Sequence, residues 1–245
     1  MVQDKSKEKQ FYETMFSDIT DGHFIDHGYE EIYQQTVDIV PAGLVLDLGC
    51  GTGKHSVNLC KKGFHVVGMD LSSKAIQAAN THAMKEDSKV HLIVADAEYL
   101  PFKNDTFDLV FCALILHHFT DISSVSREIA RVAKGHLFAL ETNALEPMTF
   151  LKFNIVNPLF KPSLMTPNQR ALFPKKVQKV FEEKGFLSFE FSWIDIHVPY
   201  RGIVGVFTRT YALLTKILPV KYRCNKFVMS CKKRELLADD SRIAK

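Results

Sequence analysis

The chain has 245 residues, of which 46% are hydrophobic and 24% are charged, and its formal net charge is +3. These proportions are typical of a folded globular protein and argue against extensive disorder. The first ten residues lack the apolar stretch of a signal peptide, and no uncharged apolar run approaches the ~20 residues that a membrane span needs. The five cysteines are scattered without CxxC spacing, which predicts a cytoplasmic protein without a disulfide framework or a metal site.

The charge is divided unevenly along the chain. Residues 1–150 contain 13 Lys and Arg against 21 Asp and Glu, for a net charge of −8. Residues 151–245 contain 18 against 7, for a net charge of +11. An asymmetry of this kind suggests that the two parts meet different ligands or partners.

Short apolar runs alternate with helix-forming segments in the first part of the chain. Strands are predicted at 44–48, 65–70, 90–95, 107–113 and 135–141, and helices at 53–62, 72–85 and 121–134. This alternation predicts an α/β fold with a parallel sheet. Residues 142–172 carry four prolines and are predicted to be an irregular apolar insertion. A helix at 174–184, strands at 187–196 and 225–233, and a frayed tail at 234–245 complete the prediction.

A glycine-rich turn follows the first predicted strand. Gly49, Gly51 and Gly53 let the backbone approach a ligand closely, and the next helix offers free N–H groups. Such a turn alone could also be a tight strand–helix connection without a ligand. However, Asp70 and Asp96 end the second and third strands, at the sheet edge where ligands bind in open α/β folds. The third glycine comes one residue too early for a dinucleotide fingerprint, so a different nucleoside is indicated.

Four motifs together carry a family resemblance. They are Leu46-Asp-Leu-Gly-Cys-Gly-Thr-Gly53, Gly68-Met-Asp-Leu-Ser72, Ala95-Asp-Ala97 with Leu100-Pro-Phe102, and Phe107–Phe119. They resemble the successive motifs of class I S-adenosylmethionine (SAM)-dependent methyltransferases, with the best match in the type 11 group. The resemblance implies a seven-stranded, doubly wound, mostly parallel Rossmann-like sheet whose last strand is antiparallel. It also implies a helical lid at 1–40, a SAM-binding core at 41–141 and an acceptor-side region at 142–233.

The same resemblance assigns roles to residues around the cofactor SAM. The three glycines would wrap its methionine part, and Asp47 would hold their loop and face the ammonium group. The remaining positions are Asp70 with Leu71 at the ribose, Asp96 with Ala97 at the adenine, Leu114 near the sulfonium, and Tyr12 of the lid at the carboxylate. For Tyr12, packing within the lid is an equal alternative.

Three residues are candidates for the chemistry of methyl transfer. His117 and His118 follow the fourth strand, where a histidine could accept a proton near neutral pH. Glu141 ends the fifth strand and is a second candidate base or substrate anchor. The alternatives are that the histidines pack beside the cofactor and that Glu141 caps the next turn.

The region after the fifth strand is predicted to meet the methyl acceptor. Its phenylalanines, among them Phe150, Phe153, Phe160 and Phe173, indicate a small lipophilic acceptor or an apolar roof over SAM. Residues 197–226 contain six Lys and Arg and no acid, and their apolar residues follow helical spacing. This pattern is typical of a helix on an anionic membrane surface, of a basic rim for an anionic acceptor, or of an ordinary surface helix.

The expected function is therefore methyl transfer from SAM to oxygen or nitrogen of a small acceptor. The alternatives are an RNA methyltransferase that uses the basic part and a SAM-binding protein without catalysis. The sequence does not define the oligomeric state.

Overall fold

The structure is a computed structural model that describes residues 5–17, 29–160, 168–195, 211, 213 and 215–234. Seven strands form one sheet: β1 Leu44–Leu48, β2 His65–Asp70, β3 Val90–Val94, β4 Phe107–Ala113, β5 Ala133–Thr142, β6 Phe186–Ile194 and β7 Lys226–Lys233. Their order is β3-β2-β1-β4-β5-β7-β6, and β7 is antiparallel to both of its neighbours. The predicted fold class is thereby confirmed.

Eight α-helices flank this sheet in the described part of the chain. They are α1 Lys5–Ser17, α2 Glu30–Ile39, α3 Lys54–Lys61, α4 Ser73–Lys85, α5 Ser123–Val132, α6 Pro147–Leu151, α7 Asn157–Phe160 and α8 Pro174–Glu182. Alternate strand residues face opposite layers, because side chains alternate along a strand. Leu46 packs in one apolar cluster with Ile129 and Phe181, and Val45 packs in the other with Leu59 and Ile32. The central strands are therefore covered on both faces, as a parallel sheet requires.

The insertion after β5 differs from its prediction, because much of it is helical. Glu146 caps α6 by accepting hydrogen bonds from the backbone N–H groups of Met148 and Thr149, at 3.0 and 2.6 Å. Pro147 stands at the first helical position, where proline favours a helix rather than breaking it. A π-helical turn at Lys152–Val156 joins α6 to α7, so a nearly continuous helical segment covers 147–160.

The helix predicted within 197–226 falls largely on residues that the structure does not describe, namely 197–210, 212 and 214. In the described remainder, residues 211 and 213 are helical, and 3-10 turns follow at Thr215–Ile217 and Val220–Tyr222. The predicted tail lies outside the described residues from position 235 onward. Among the helices that the structure describes, none has both the length and the apolar character to cross a bilayer.

Candidate active site

A cavity of about 180 Å³ lies at the carboxyl ends of β1, β2 and β4. It is lined by eight of the ten residues predicted to bind the cofactor: Tyr12, Gly49, Gly51, Asp70, Leu71, Asp96, Ala97 and Leu114. The other lining residues are Lys5, Glu8, Ile115, His118 and Phe119. Of the three candidate catalytic residues, only His118 contacts this cavity.

The glycine loop forms one wall of the cavity. The loop is joined to β2, since Cys50 N–H donates to the Met69 carbonyl at 2.8 Å. Gly49 has a φ of +71°, and a Cβ placed there would lie 2.3 Å from the Ile115 side chain. A residue with a side chain would therefore close the wall against the turn after β4.

Asp70 lies at the centre of the cavity wall. Its Oδ2 accepts a hydrogen bond from Gly51 N–H at 3.0 Å, and its Oδ1 accepts one from Ser72 N–H at 2.9 Å. Burial raises the pKa of Asp70, and these two hydrogen bonds oppose that shift. The carboxylate thus fixes the glycine loop while it remains available to hydroxyl donors in the cavity.

Asp47 and Gly53 lie beneath the glycine loop rather than in the cavity wall. Asp47 is 1% exposed, and its Oδ2 accepts a hydrogen bond from Ser56 Oγ at 2.5 Å. Its Oδ1 has no hydrogen-bond partner, and burial raises the pKa of Asp47 to about 7. Gly53 caps α3 with a φ of +77°, and a Cβ there would lie 2.9 Å from Ala79 Cβ. Gly53 therefore serves the packing of α3 against α4.

Helix α1 lies across the mouth of the cavity. Lys5 Nζ lies 2.6 Å from Asp96 Oδ2 and also forms an ion pair with Glu98. Further along the helix, the Glu13 carboxylate accepts a hydrogen bond from Ser73 N–H at 2.8 Å. Contacts at both ends of the helix thus attach α1 to the loops after β2 and β3.

His118 connects α1 to the turn after β4. Its Nδ1 lies 2.9 Å from Glu8 Oε1, and its Nε2 lies 2.9 Å from the Tyr12 hydroxyl. Asn168 donates a hydrogen bond to the other Glu8 oxygen at 3.0 Å. Burial lowers the pKa of His118, whereas the Glu8 carboxylate acts in the opposite direction. A neutral imidazole that donates Nδ1–H to Glu8 carries its lone pair on Nε2.

His117 and Glu141 lie outside the cavity and support the turn that carries His118. Glu141 is fully buried, and one carboxylate oxygen accepts hydrogen bonds from the N–H groups of Ile115 and Leu116 at 2.9 and 2.6 Å. The other lies 2.7 Å from His117 Nδ1. Burial lowers the pKa of His117 to about 3, so its ring stays neutral at pH 7. Glu141 thus caps a turn, but it is the turn after β4 and not the turn that follows its own strand.

Sequence reasoning missed Lys5, Glu8 and Asn168. The first two share one face of α1 with Tyr12, because positions 5, 8 and 12 follow the i, i+3, i+7 spacing of a helix. That spacing was the available signal. Asn168 reaches the site from the insertion, and no local pattern marks it.

Comparisons with known proteins agree with this site. Residues 45–136 match a family model described as a methyltransferase domain. The ubiquinone biosynthesis O-methyltransferase of Aliivibrio fischeri is 36% identical over 97 residues, which are 38% of this chain and 42% of that protein. The uncharacterized methyltransferase YcgJ of Bacillus subtilis is 32% identical over 123 residues, 49% of each chain. This chain thus matches less than half of the length of these curated relatives.

Solved structures resemble nearly the whole chain, as one example shows. The magnesium protoporphyrin IX methyltransferase ChlM of Synechocystis, solved with bound SAH, superposes with a TM-score of 0.65 at 18% identity, covering 94% of this chain and all of that one. At this identity the likeness concerns the fold. The family model and the curated relatives thus identify a methyltransferase domain in residues 45–136, which agrees with the resemblance of the sequence motifs to class I SAM-dependent methyltransferases.

The residues present fit the cofactor of that class. Gly49 and Gly51 line the cavity, and because a Cβ at Gly49 would clash with Ile115, the bare backbone of the loop faces the ligand. The carboxylates of Asp70 and Asp96, which follow β2 and β3, also line the cavity. Among the residues that the structure describes, no group of His, Cys, Asp and Glu could hold a metal ion.

Proposed function

We propose that this protein transfers a methyl group from SAM to an oxygen of a small, lipophilic acceptor, with His118 as the general base. The observation that carries the proposal is the cavity itself, because it joins the glycine loop and two strand-end carboxylates to a histidine held by Glu8. The name of the curated O-methyltransferase relatives supports oxygen as the accepting atom, and nitrogen is the other option.

The cofactor would lie along the glycine loop. Gly49 and Gly51 would accommodate its methionine part, with the acidic side chain of Asp47 beneath them. Asp70 beside Leu71 would accept hydrogen bonds from the ribose, and Asp96 beside Ala97 would contact the adenine. Asp96 forms an ion pair with Lys5 in this structure. The amino group of the adenine would therefore either replace Lys5 as the donor to Asp96 or donate to Asp96 beside it.

When bound, the cofactor supplies an electrophilic methyl group, and the protein has to align the acceptor with it and remove a proton. The lining residues Leu114, Ile115 and Phe119 offer the acceptor an apolar surface beside His118. His118 Nε2 would take the hydroxyl proton, at the place where it now faces Tyr12. Glu8 would stabilise the imidazolium that forms, and burial keeps the imidazole neutral beforehand.

The remaining side chains would organise this site. His117 and Glu141 would hold the turn that carries His118, and Phe153 packs edge-on to His117 at a ring distance of 6.2 Å. The insertion thereby contributes an apolar cover next to the base. Neither an RNA substrate nor SAM binding without catalysis has an observation that favours it.

The test is a transfer assay with tritiated methyl-SAM. The protein is incubated with a panel of alkyl-substituted phenols and catechols, with matched anilines, and with total RNA. We expect label in the organic phase from the hydroxylated compounds, and a loss of about 10²- to 10⁴-fold in the His118→Ala variant. Label in RNA alone, or S-adenosylhomocysteine (SAH) binding by calorimetry without transfer to any acceptor, would refute the proposal.

A further inference from the structure

An exposed apolar stripe runs along the helical segment 147–160 that follows β5. Leu151 and Ile155 are each 41% exposed, and Leu159 is 71% exposed. Their spacing of four residues places them along one side of this helical segment. Met148 and Val156 are exposed next to them. Side chains of this size usually pack against something, so a continuous exposed stripe indicates an interaction surface.

A second exposed apolar group lies in 213–220. Ile217 is 90% exposed and Leu213 is 62% exposed, and Leu218 and Val220 are exposed beside them. The two segments are joined through the loop after β5. The Tyr211 hydroxyl donates to Glu146 Oε1 at 2.6 Å, and Asn143 Nδ2 donates to the Lys221 carbonyl at 2.8 Å. The nine exposed apolar residues of both segments are called the docking face: Met148, Leu151, Ile155, Val156, Leu159, Leu213, Ile217, Leu218 and Val220.

The charged side chains within the two segments that carry the docking face are all basic. Neither 147–160 nor 211–226 contains an Asp or a Glu. Lys152, Lys216 and Lys221 are exposed, and within the described residues none of them forms an ion pair. Unpaired lysines beside exposed apolar side chains attract an anionic surface that also has an apolar interior.

We propose that the docking face binds an anionic lipid bilayer, with its apolar side chains inserted among the acyl chains and its lysines at the headgroups. A second copy of the chain fits less well, because a two-fold contact would bring the same lysines of both copies together without acidic partners. Five of its nine residues belong to the insertion, whose Phe153 packs against His117, the residue next to His118 in the chain. Resting on the proposed function, this position would let a lipophilic acceptor pass from the bilayer to His118.

The experiment is flotation of the full-length protein with extruded vesicles. One set contains phosphatidylcholine alone, and the other contains phosphatidylcholine with 30% phosphatidylglycerol, a composition chosen to be anionic. We expect binding to the anionic vesicles that weakens strongly between 0.1 and 1 M NaCl, because salt screens the lysines. Equal binding to both vesicles, binding to neither, or binding only to a 20-nucleotide RNA would overturn the proposal.

Variants test the face itself. We expect the partition coefficient to fall about fivefold for Lys216→Gln, which corresponds to about 1 kcal/mol. We expect a fall of about tenfold or more for the double variant Leu159→Ser with Ile217→Ser. The matched controls are Lys85→Gln and Met84→Ser on α4, where Met84 is 74% exposed, and we expect both to bind like the wild type.

Two further results bear on the proposal. An unchanged partition coefficient in the double variant would overturn it. The proposal would also be overturned if light scattering showed a dimer of the wild type that the double variant does not form. In that case a second copy of the chain would cover the docking face. Flotation needs neither SAM nor an acceptor, so its failure leaves the proposed methyl transfer standing. Conversely, the transfer assay uses dissolved acceptors without vesicles, so its failure leaves the bilayer proposal standing.

Discussion

Asp70 provides the sharpest test of the cofactor site, because its effect is measured without knowing the acceptor. The isosteric substitution Asp70→Asn removes the negative charge of the side chain. The carboxylate accepts one hydrogen bond on each oxygen, from the N–H groups of Gly51 and Ser72, whereas the amide keeps only one oxygen that can accept. A hydrogen bond to a charged group contributes about 1.5–3 kcal/mol. Because about 1.4 kcal/mol changes Kd tenfold, we expect SAH to bind roughly 10- to 150-fold more weakly.

The assay is titration calorimetry with SAH at pH 7.5, and the matched control is Asp108→Asn. Asp108 also accepts a hydrogen bond from a backbone N–H, that of Leu44 at 2.9 Å, but it lies outside the cavity lining. We expect the control to lower the thermal midpoint and to keep the wild-type Kd. A wild-type Kd in Asp70→Asn would refute the assignment. Equal weakening in both variants would show a loss of stability rather than the loss of a contact.

Three other substitutions separate the roles assigned around the site. Glu8→Gln is expected to lower kcat about 10- to 150-fold and to move the acidic limb of the pH profile to lower pH, because the carboxylate raises the pKa of His118. Glu13→Gln on the same helix is the control, and an unchanged profile in Glu8→Gln would contradict the proposal. Glu141→Ala leaves two buried N–H groups without an acceptor and is expected to cost about 2–5 kcal/mol in urea unfolding. A cost below ~1 kcal/mol would exclude the structural role. Asp47→Asn is expected to stabilise the unliganded protein at pH 8 and to weaken SAH binding.

The direction of the stability change in Asp47→Asn follows from the pKa of Asp47 in the folded and in the unfolded chain. The carboxyl of Asp47 has a pKa of about 7 in the folded protein and of 3.8 in the unfolded chain, so the folded state binds the proton more tightly. The stability that this proton provides is complete below pH 4 and is lost as the pH rises towards 7. The gain from Asp47→Asn should therefore be a few kcal/mol at most at pH 8 and should shrink towards pH 4. A gain that does not vary with pH would contradict this explanation.

The sequence predicted the parts of the site that depend on chain-local patterns. Strands at 44–48, 65–70 and 107–113 have the bounds expected, because buried parallel strands are continuous apolar runs that end at glycine or polar residues. Their carboxyl ends must share one edge, so the gathering of Gly49, Asp70 and Leu114 around one cavity was foreseeable.

The contacts that complete the site could not be predicted in the same way. Glu8 and His118 are separated by 110 residues, and their pairing depends on where α1 docks. For Glu141 the position at the end of a strand was foreseen, but its orientation into the turn depends on the register between β4 and β5. In the insertion, prolines were interpreted as interruptions, whereas the cap formed by Glu146 makes Pro147 the first residue of a helix.

The position of α1 has a consequence for the kinetic order of the reaction. A cavity of about 180 Å³ is smaller than the roughly 300–1,000 Å³ of pockets that enclose small ligands. If SAM occupies this cavity as proposed, α1 would have to move from Asp96 to admit it, and the base would be complete again once Glu8 returns to His118. We therefore expect SAM to bind before the acceptor and SAH to leave last. Product inhibition by SAH should then be competitive with SAM and mixed with respect to the acceptor.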